Sequence, residues 1–247
     1  MCRHLAYLGP PLPLAAFLLD PPHSLVQQSF APRDMRGGGR INADGFGVGW
    51  YVPGAAAALR YRRDRPIWTD AFLPQLAAAT SAGAVLAAVR NATVGMPVLE
   101  TGAAPFAEGR WLFSHNGAVA GWPDSLTGLA ATLPARDLLT LDAPTDAALL
   151  WALVRHGLRH GADLAKSIVD TVRAVDEAAP GSRLNLMLTD GHTAVATTWW
   201  HSLSVRRTGD TTLISSEPLD DDPAWRAVPD RRLVVATAGT VEITPLT

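Results

Sequence analysis

Between Thr145 and His160 the stretch TDAALLWALVRHGLRH places Leu149, Leu150, Leu153 and Leu158 near one face of a helix, with Thr145 positioned to cap its first turn. A second helix is expected over DLAKSIVDTVRAVDEAA, opened by Asp163 and closed near Pro180-Gly181. Elsewhere the apolar positions alternate or come in short blocks. RHLAYLG predicts a short strand almost at the N-terminus, and GFGVGWYV and ALRYRRD predict two more, joined through Pro53-Gly54 as in a hairpin. PLAAFLLD reads as a short helix ended by Asp20-Pro21-Pro22, because a residue before proline is pushed out of helical space, and a turn-rich passage follows. DAFLPQLAAATSAG is helical in composition despite Pro74, with Gly83 as its stop; AVLAAVRNA and RWLFSHNGAVAG return to strands. After the second long helix, RLNLMLTDG, TAVATTWW, LSVRRTGD, TTLISSE and RLVVATAG are short strands recurring every ten residues or so, at about the spacing of an antiparallel sheet. Strands first, two helices in the middle and strands last predict an α+β fold whose helices cover sheet faces. No repeat, linker or low-complexity tract divides the 247 residues, so one domain is expected.

Composition narrows the function classes. Hydrophobic residues make up 48% and charged residues 18%, which describes an apolar-rich globule with a large core. A net charge of -2 offers no electrostatic footprint for a phosphate backbone or an anionic leaflet, so neither nucleic acid nor membrane is expected as a partner. Arg3 followed by LAYLGPPLPLAAFLL imitates a signal peptide, but Pro10, Pro11 and Pro13 interrupt the would-be helix and the segment is expected to be retained. With one cysteine in the chain, an internal disulfide and a thiolate metal cluster are both excluded, and a reducing cytoplasm fits.

That single cysteine is Cys2, directly behind the initiator methionine. A lone free cysteine is ordinarily a small buried hydrophobe. If Met1 is removed, however, Cys2 carries a thiol and a free α-amino group, a nucleophile and a base in one residue. A thiol is only a few per cent thiolate at pH 7, and an adjacent amine could take its proton and later return it to a leaving amine. Such a site needs oxyanion donors and an anchor. Asn116-Gly117, in FSHNGAVAG, could supply an amide side chain and a glycine N–H, although an isolated Asn-Gly more often forms a type I′ turn. Arg90, at the end of AVLAAVRNA, has the planar fork that suits a carboxylate, although a single arginine is more often structural. Asp146, in APTDAALL, could hold a cation or simply favour the start of its helix.

MCRHLAY, NADGFGVGWY, RNATVG, HNG and TDAA, in this order, resemble the class II glutamine amidotransferase family, and the resemblance spans essentially the whole chain. Within it the chain is most similar to the free-standing branch of γ-glutamyl-hercynylcysteine sulfoxide hydrolases of ergothioneine biosynthesis, through MCRHLAYLG, LDPPHSLVQQSFAPR, SRLNLMLTDG, SSEPLDDDP and PAWRAVPDRRLV. The resemblance implies a four-layer αββα sandwich of two antiparallel sheets, loss of Met1, and Cys2 as nucleophile. It further implies Asn116 and Gly117 as the oxyanion hole, Arg90 on the α-carboxylate of a small-molecule γ-glutamyl substrate and Asp146 on its α-ammonium, with no metal or organic cofactor. Two positions depart from the synthase members, which usually have glycine after the cysteine and histidine two residues before the arginine; here these are Arg3 and Ala88. The departures weigh against free glutamine, and so little chain follows the last strand that nothing would capture ammonia. Hydrolysis of another γ-glutamyl compound, a glutaminase subunit feeding a separate synthase, and a noncatalytic γ-glutamyl-binding subunit are the rival expectations; self-association as a homo-oligomer is left open.

Other features suggest less. His156 and His160 share a helix face at the spacing of a zinc pair, but no glutamate follows His156 in the metalloprotease manner and solvent-facing histidines are expected. Asp220-Asp221-Asp222 reads as a solvated turn before proline. Trp50, Trp68, Trp111 or Trp225 could offer an aromatic face to a trimethylammonium group, with core packing the alternative. Ser216-Glu217-Pro218 reads equally as a pocket edge or a turn.

Overall fold

A computed structural model of the chain describes residues 2–36 and 41–246. Strand β1 (Arg3–Pro13) leads into the short helices α1 (Ala15–Leu18) and α2 (Leu25–Phe30). Next come the hairpin β2 (Phe46–Trp50) and β3 (Leu59–Arg63), helix α3 (Leu73–Ala79) and strand β4 (Ser81–Val89). The middle holds β5 (Phe106–Glu108), β6 (Trp111–Ala118), α4 (Thr127–Ala130), α5 (Ala135–Leu139), α6 (Asp146–Arg159) and α7 (Leu164–Ala178). The chain closes with β7 (Arg183–Thr189), β8 (Ala194–Thr198), β9 (Ser204–Thr208), β10 (Thr211–Ser215), β11 (Arg226–Ala227), β12 (Arg232–Ala236) and β13 (Val241–Pro245).

The strands form two antiparallel sheets, one in the order β11-β9-β10-β1-β4-β2-β3 and the other β13-β12-β8-β7-β6-β5. Alternation along each strand sends its side chains to two different cores. Ala6, Leu8, Leu86, Leu112, Met187 and Val205 meet between the sheets. Leu5, Tyr7, Val85, Ala87 and Val89 point outward onto Phe17, Leu18, Leu25 and Leu73 of the first three helices. On the far side Phe113, Leu186 and Val195 pack with Trp151, Val154, Ile168 and Val172 of α6 and α7, and the rings of Phe113 and Trp151 stack at 5.5 Å. The result is the expected α+β sandwich of helices, sheet, sheet and helices. No helix among the described residues is long and apolar enough to cross a membrane.

Helix α6 begins where its cap predicts: Thr145 Oγ1 accepts from the Ala148 N–H at 3.3 Å, and Asp163 Oδ1 caps α7 through the Lys166 N–H at 2.7 Å. Three expectations need correction. β1 does not stop at Gly9 but continues to Pro13, because its pairing with β4 shifts register between Leu8 and Leu12 and leaves the intervening prolines free of ladder bonds. Gly83 does not stop a helix. It lies inside β4, where a Cβ would come within 2.8 Å of the Gly9 carbonyl oxygen. Asn116-Gly117 is not a turn, since both residues are paired within β6, opposite Asn185 and Leu184 of β7.

Candidate active site

The site is assembled at the ends of the two central pairings. Arg3 pairs with Val89 across β1 and β4, and Phe46 of β2 pairs with the same Val89, so the start of β1 lies beside the end of β4. Beyond Val89 the two residues preceding β2 still hold the backbone, with the Arg90 N–H on the Gly45 carbonyl at 2.7 Å and the Asp44 N–H on the Arg90 carbonyl at 3.0 Å. Cys2 is half-buried and unbridged, and its Sγ lies 3.7 Å from the Asn91 carbonyl oxygen.

Cys2, Arg90, Gly117 and Asp146 all line one cavity, together with His115 and Gly102. The Arg90 guanidinium is buried: Nη2 donates to the Pro97 carbonyl at 3.0 Å, while Nη1 has no protein partner among the described residues. Gly102 lies beside it, where an added Cβ would stand 3.4 Å from Nη1. Asp146, the first residue of α6, accepts from the Ala147 N–H at 2.7 Å and the Val119 N–H at 3.0 Å, which fixes its carboxylate at the helix start. Gly117 is held flat against β7, where a Cβ would sit 1.8 Å from the Arg183 carbonyl oxygen. Asn116 is the one predicted site residue that does not line the cavity. Its side chain is fully buried in the layer between the sheets, and neither amide atom has a protein partner among the described residues. Met1, whose loss the resemblance implies, lies outside the described residues.

A buried ionic hub behind Cys2 is less visible in the sequence. Arg3 is 1% exposed and pairs with Glu217 at 2.8 Å while donating to the Cys2 carbonyl at 3.2 Å and to the Asp34 carbonyl. Glu217 also meets His23 Nε2 at 2.6 Å and accepts from the backbone N–H groups of Arg33 and Asp34. Burial alone would raise this carboxyl, but the His23 hydrogen bond, the Arg3 charge and the two N–H groups outweigh it and hold it below the usual range. Ser216-Glu217-Pro218 edges a second pocket, with Arg33, Asp34, Leu203 and Val228, and does not line the Cys2 cavity. It is a clamp on the strand that carries Cys2.

Two histidines nearby stay uncharged. Burial foremost, with His115 and Arg3 adding repulsion, pushes His4 down to about 3. Burial, then Arg183, Arg3 and His115, pushes His201 down to about 2. Both values lie below the unfolded histidine value near 6.5, so the unfolded chain takes up protons that the folded chain refuses. Their contribution is fully present above about pH 6.5 and is lost as pH falls, at up to about 1.4 kcal/mol per pH unit for each histidine. The urea midpoint is therefore expected to drop between pH 7.5 and pH 5, before most carboxylates titrate, and His4→Gln should flatten that drop. An unchanged midpoint over this interval would contradict the buried neutral assignment.

The remaining candidates lie elsewhere. None of Trp50, Trp68, Trp111 and Trp225 lines the Cys2 cavity: Trp50 is in the outer core, Trp68 packs edge-on to Phe30, Trp111 lies against the α6–α7 core, and Trp225 sits beneath Arg206. The rings of His156 and His160 lie 4.2 Å apart, tilted by 43°, with His156 facing Asp137. Asp220 and Asp222 are tied to Arg206 and Asp221 to Arg33. Among the described residues no group of three or more His, Cys, Asp or Glu is arranged to hold a metal ion.

This sandwich, with a cysteine, an arginine, a glycine and an aspartate converging at its strand ends, belongs to a defined class. Residues 18–209 match the family described as "Glutamine amidotransferases class-II", and the chain is a member of that family. It is 42% identical over 246 residues to the γ-glutamyl-hercynylcysteine sulfoxide hydrolase of Mycolicibacterium smegmatis, covering 100% of both chains. To the protein of the same name from Mycobacterium tuberculosis it is 40% identical, covering 100% of this chain and 97% of that one. Among solved structures, a glutamine aminotransferase class-II domain protein from Silicibacter pomeroyi superposes with a TM-score of 0.69 over 99% of both chains at 24% identity, which supports the fold.

Proposed function

We propose that this chain, as one domain, hydrolyses the γ-glutamyl amide of γ-glutamyl-hercynylcysteine sulfoxide to glutamate and hercynylcysteine sulfoxide. The reading is carried by the convergence of Cys2, Arg90, Gly117 and Asp146 on a single cavity. The substrate follows from the relatives that match it from end to end. Cys2, freed of Met1, attacks the γ-carbonyl, its thiol proton passing to its own α-amine. The Asn116 amide and the Gly117 N–H receive the negative charge that develops on the carbonyl oxygen. The C–N bond then breaks, the ammonium protonates the departing amine, and a γ-glutamyl thioester remains. Water cleaves the thioester and restores the thiol.

The unpartnered Nη1 of buried Arg90 supports its role as the clamp for the α-carboxylate, because a buried donor without a partner is costly unless a ligand supplies one. Asp146 offers its remaining lone pairs to the α-ammonium. Ala88 forms part of the cavity wall where the synthase members usually have histidine, which favours a substrate other than free glutamine. A cytoplasmic location belongs to the same reading, since a nucleophilic lone thiol is best kept in a reducing compartment.

Glutamate release should be compared on γ-glutamyl-hercynylcysteine sulfoxide and on glutamine. The sulfoxide is expected to be preferred by about a hundredfold or more in kcat/KM. Comparable efficiency on glutamine would overturn the substrate assignment while leaving the amidohydrolase chemistry intact.

A further inference from the structure

We infer that His4, braced by Ser114, is a positioning residue that orients the Asn116 amide through a bridging water; this rests on the oxyanion role proposed above for Asn116. The two strands involved face each other across the inter-sheet layer. Ala6 and Leu8 of β1 and Leu112 of β6 belong to that layer, so by alternation Cys2, His4, Ser114 and Asn116 point into it as well. His4 Nδ1 lies 3.2 Å from Ser114 Oγ, which fixes the register between the sheets. The strands run in opposite senses there. One two-residue step, about 6.6 Å along each, leads from the His4–Ser114 pair to Cys2 and Asn116.

His4 Nε2 and both amide atoms of Asn116 are fully buried without a protein partner among the described residues. A neutral imidazole has one N–H. When the Ser114 hydroxyl donates to Nδ1, that N–H is on Nε2, a donor facing the inter-sheet layer. An asparagine amide has one accepting end, so a donor satisfying Oδ1 turns the Nδ2 hydrogens the other way, toward the place where the substrate oxyanion develops. No direct His4–Asn116 hydrogen bond exists in this structure, and buried donors and acceptors without protein partners are commonly joined by an ordered water. His4 remains neutral at working pH because its burial, with His115 and Arg3 close by, pushes it down to about 3. The required tautomer is therefore not lost by protonation.

A double-mutant cycle tests this. His4→Phe is expected to lower kcat by about tenfold with KM changed less than about twofold, and His4→Gln, which offers an N–H donor, should recover most of the rate. In the Asn116→Ala background the additional His4→Phe change should have almost no effect, whereas a merely structural role would lower the rate by the same factor again. Wild-type rate in His4→Phe, or losses that multiply in full, would overturn the inference alone. Full rate in Asn116→Ala by itself would instead overturn the oxyanion reading. A high-resolution crystal structure of the unmutated enzyme gives an answer independent of the variants' folding. A water within hydrogen-bond reach of both His4 Nε2 and Asn116 Oδ1 is expected, and its absence would contradict the inference.

Discussion

Replacing Cys2 with alanine is expected to abolish turnover, by about four orders of magnitude or more, while leaving the fold and substrate binding in place. The size follows from the proposed role: removing the nucleophile leaves only the binding site and the oxyanion donors. The fold should not suffer. Cys2 is half-buried and its sulfur lies 3.7 Å from the Asn91 carbonyl oxygen, whereas the strand start is held by Arg3, Glu217 and the β4 ladder. The alanine protein should therefore melt close to the wild-type temperature and retain uncleaved substrate against Arg90. Turnover within about tenfold of wild type would show that the chemistry is done by another group.

Gly117→Ala is expected to have the second-largest effect, for a steric reason. The added methyl would stand 1.8 Å from the Arg183 carbonyl oxygen and 2.6 Å from both its carbon and His115 Nε2. The first two are backbone atoms of β7, fixed by the β6–β7 ladder, and the ring nitrogen is itself engaged with that carbonyl at 2.9 Å, so no flexible side chain can simply move aside. Relief requires the end of β6 to separate from β7, which costs about 3 kcal/mol and shifts Asn116 and Gly117 away from Cys2. A lowered urea midpoint together with loss of turnover is the expected pair of results. Wild-type stability with wild-type rate would mean that the two strands are not packed this closely.

Much of this was legible in the sequence where local rules decide. Helix α6 could be read because a 3.6-residue apolar period coincides with Thr145 as cap, and the strands of the C-terminal half because short β-branched runs alternate with turn residues. Local rules failed where tertiary contact overrides them. Gly83 suggests a stop in isolation but is a close backbone approach in β4, and Asn116-Gly117 suggests a turn but is a strand segment whose missing Cβ admits the Arg183 carbonyl. The six residues of α2 are too few to show a period, and only Ser24, whose side chain accepts from the Gln27 N–H, marks their start. The candidate site was legible residue by residue. Its assembly was not, because Cys2, Arg90, Gly117 and Asp146 meet only through the registers of β1 with β4 and of β6 with β7. Glu217 reads in the sequence only as a turn or a pocket edge for a related reason: nothing local distinguishes a carboxylate in a turn from one that is 2% exposed and clamps the residue after Cys2.

Cys2, at the start of the mature chain, is proposed to carry the acyl group. Intact-mass measurement of enzyme quenched during turnover, followed by peptide mapping, tests it most directly. A chain beginning at Cys2 and a single added γ-glutamyl group on the Cys2 peptide, lost on treatment with hydroxylamine and absent from Cys2→Ala, are expected. A turning-over enzyme that retains Met1, or an adduct on any other residue, would contradict it.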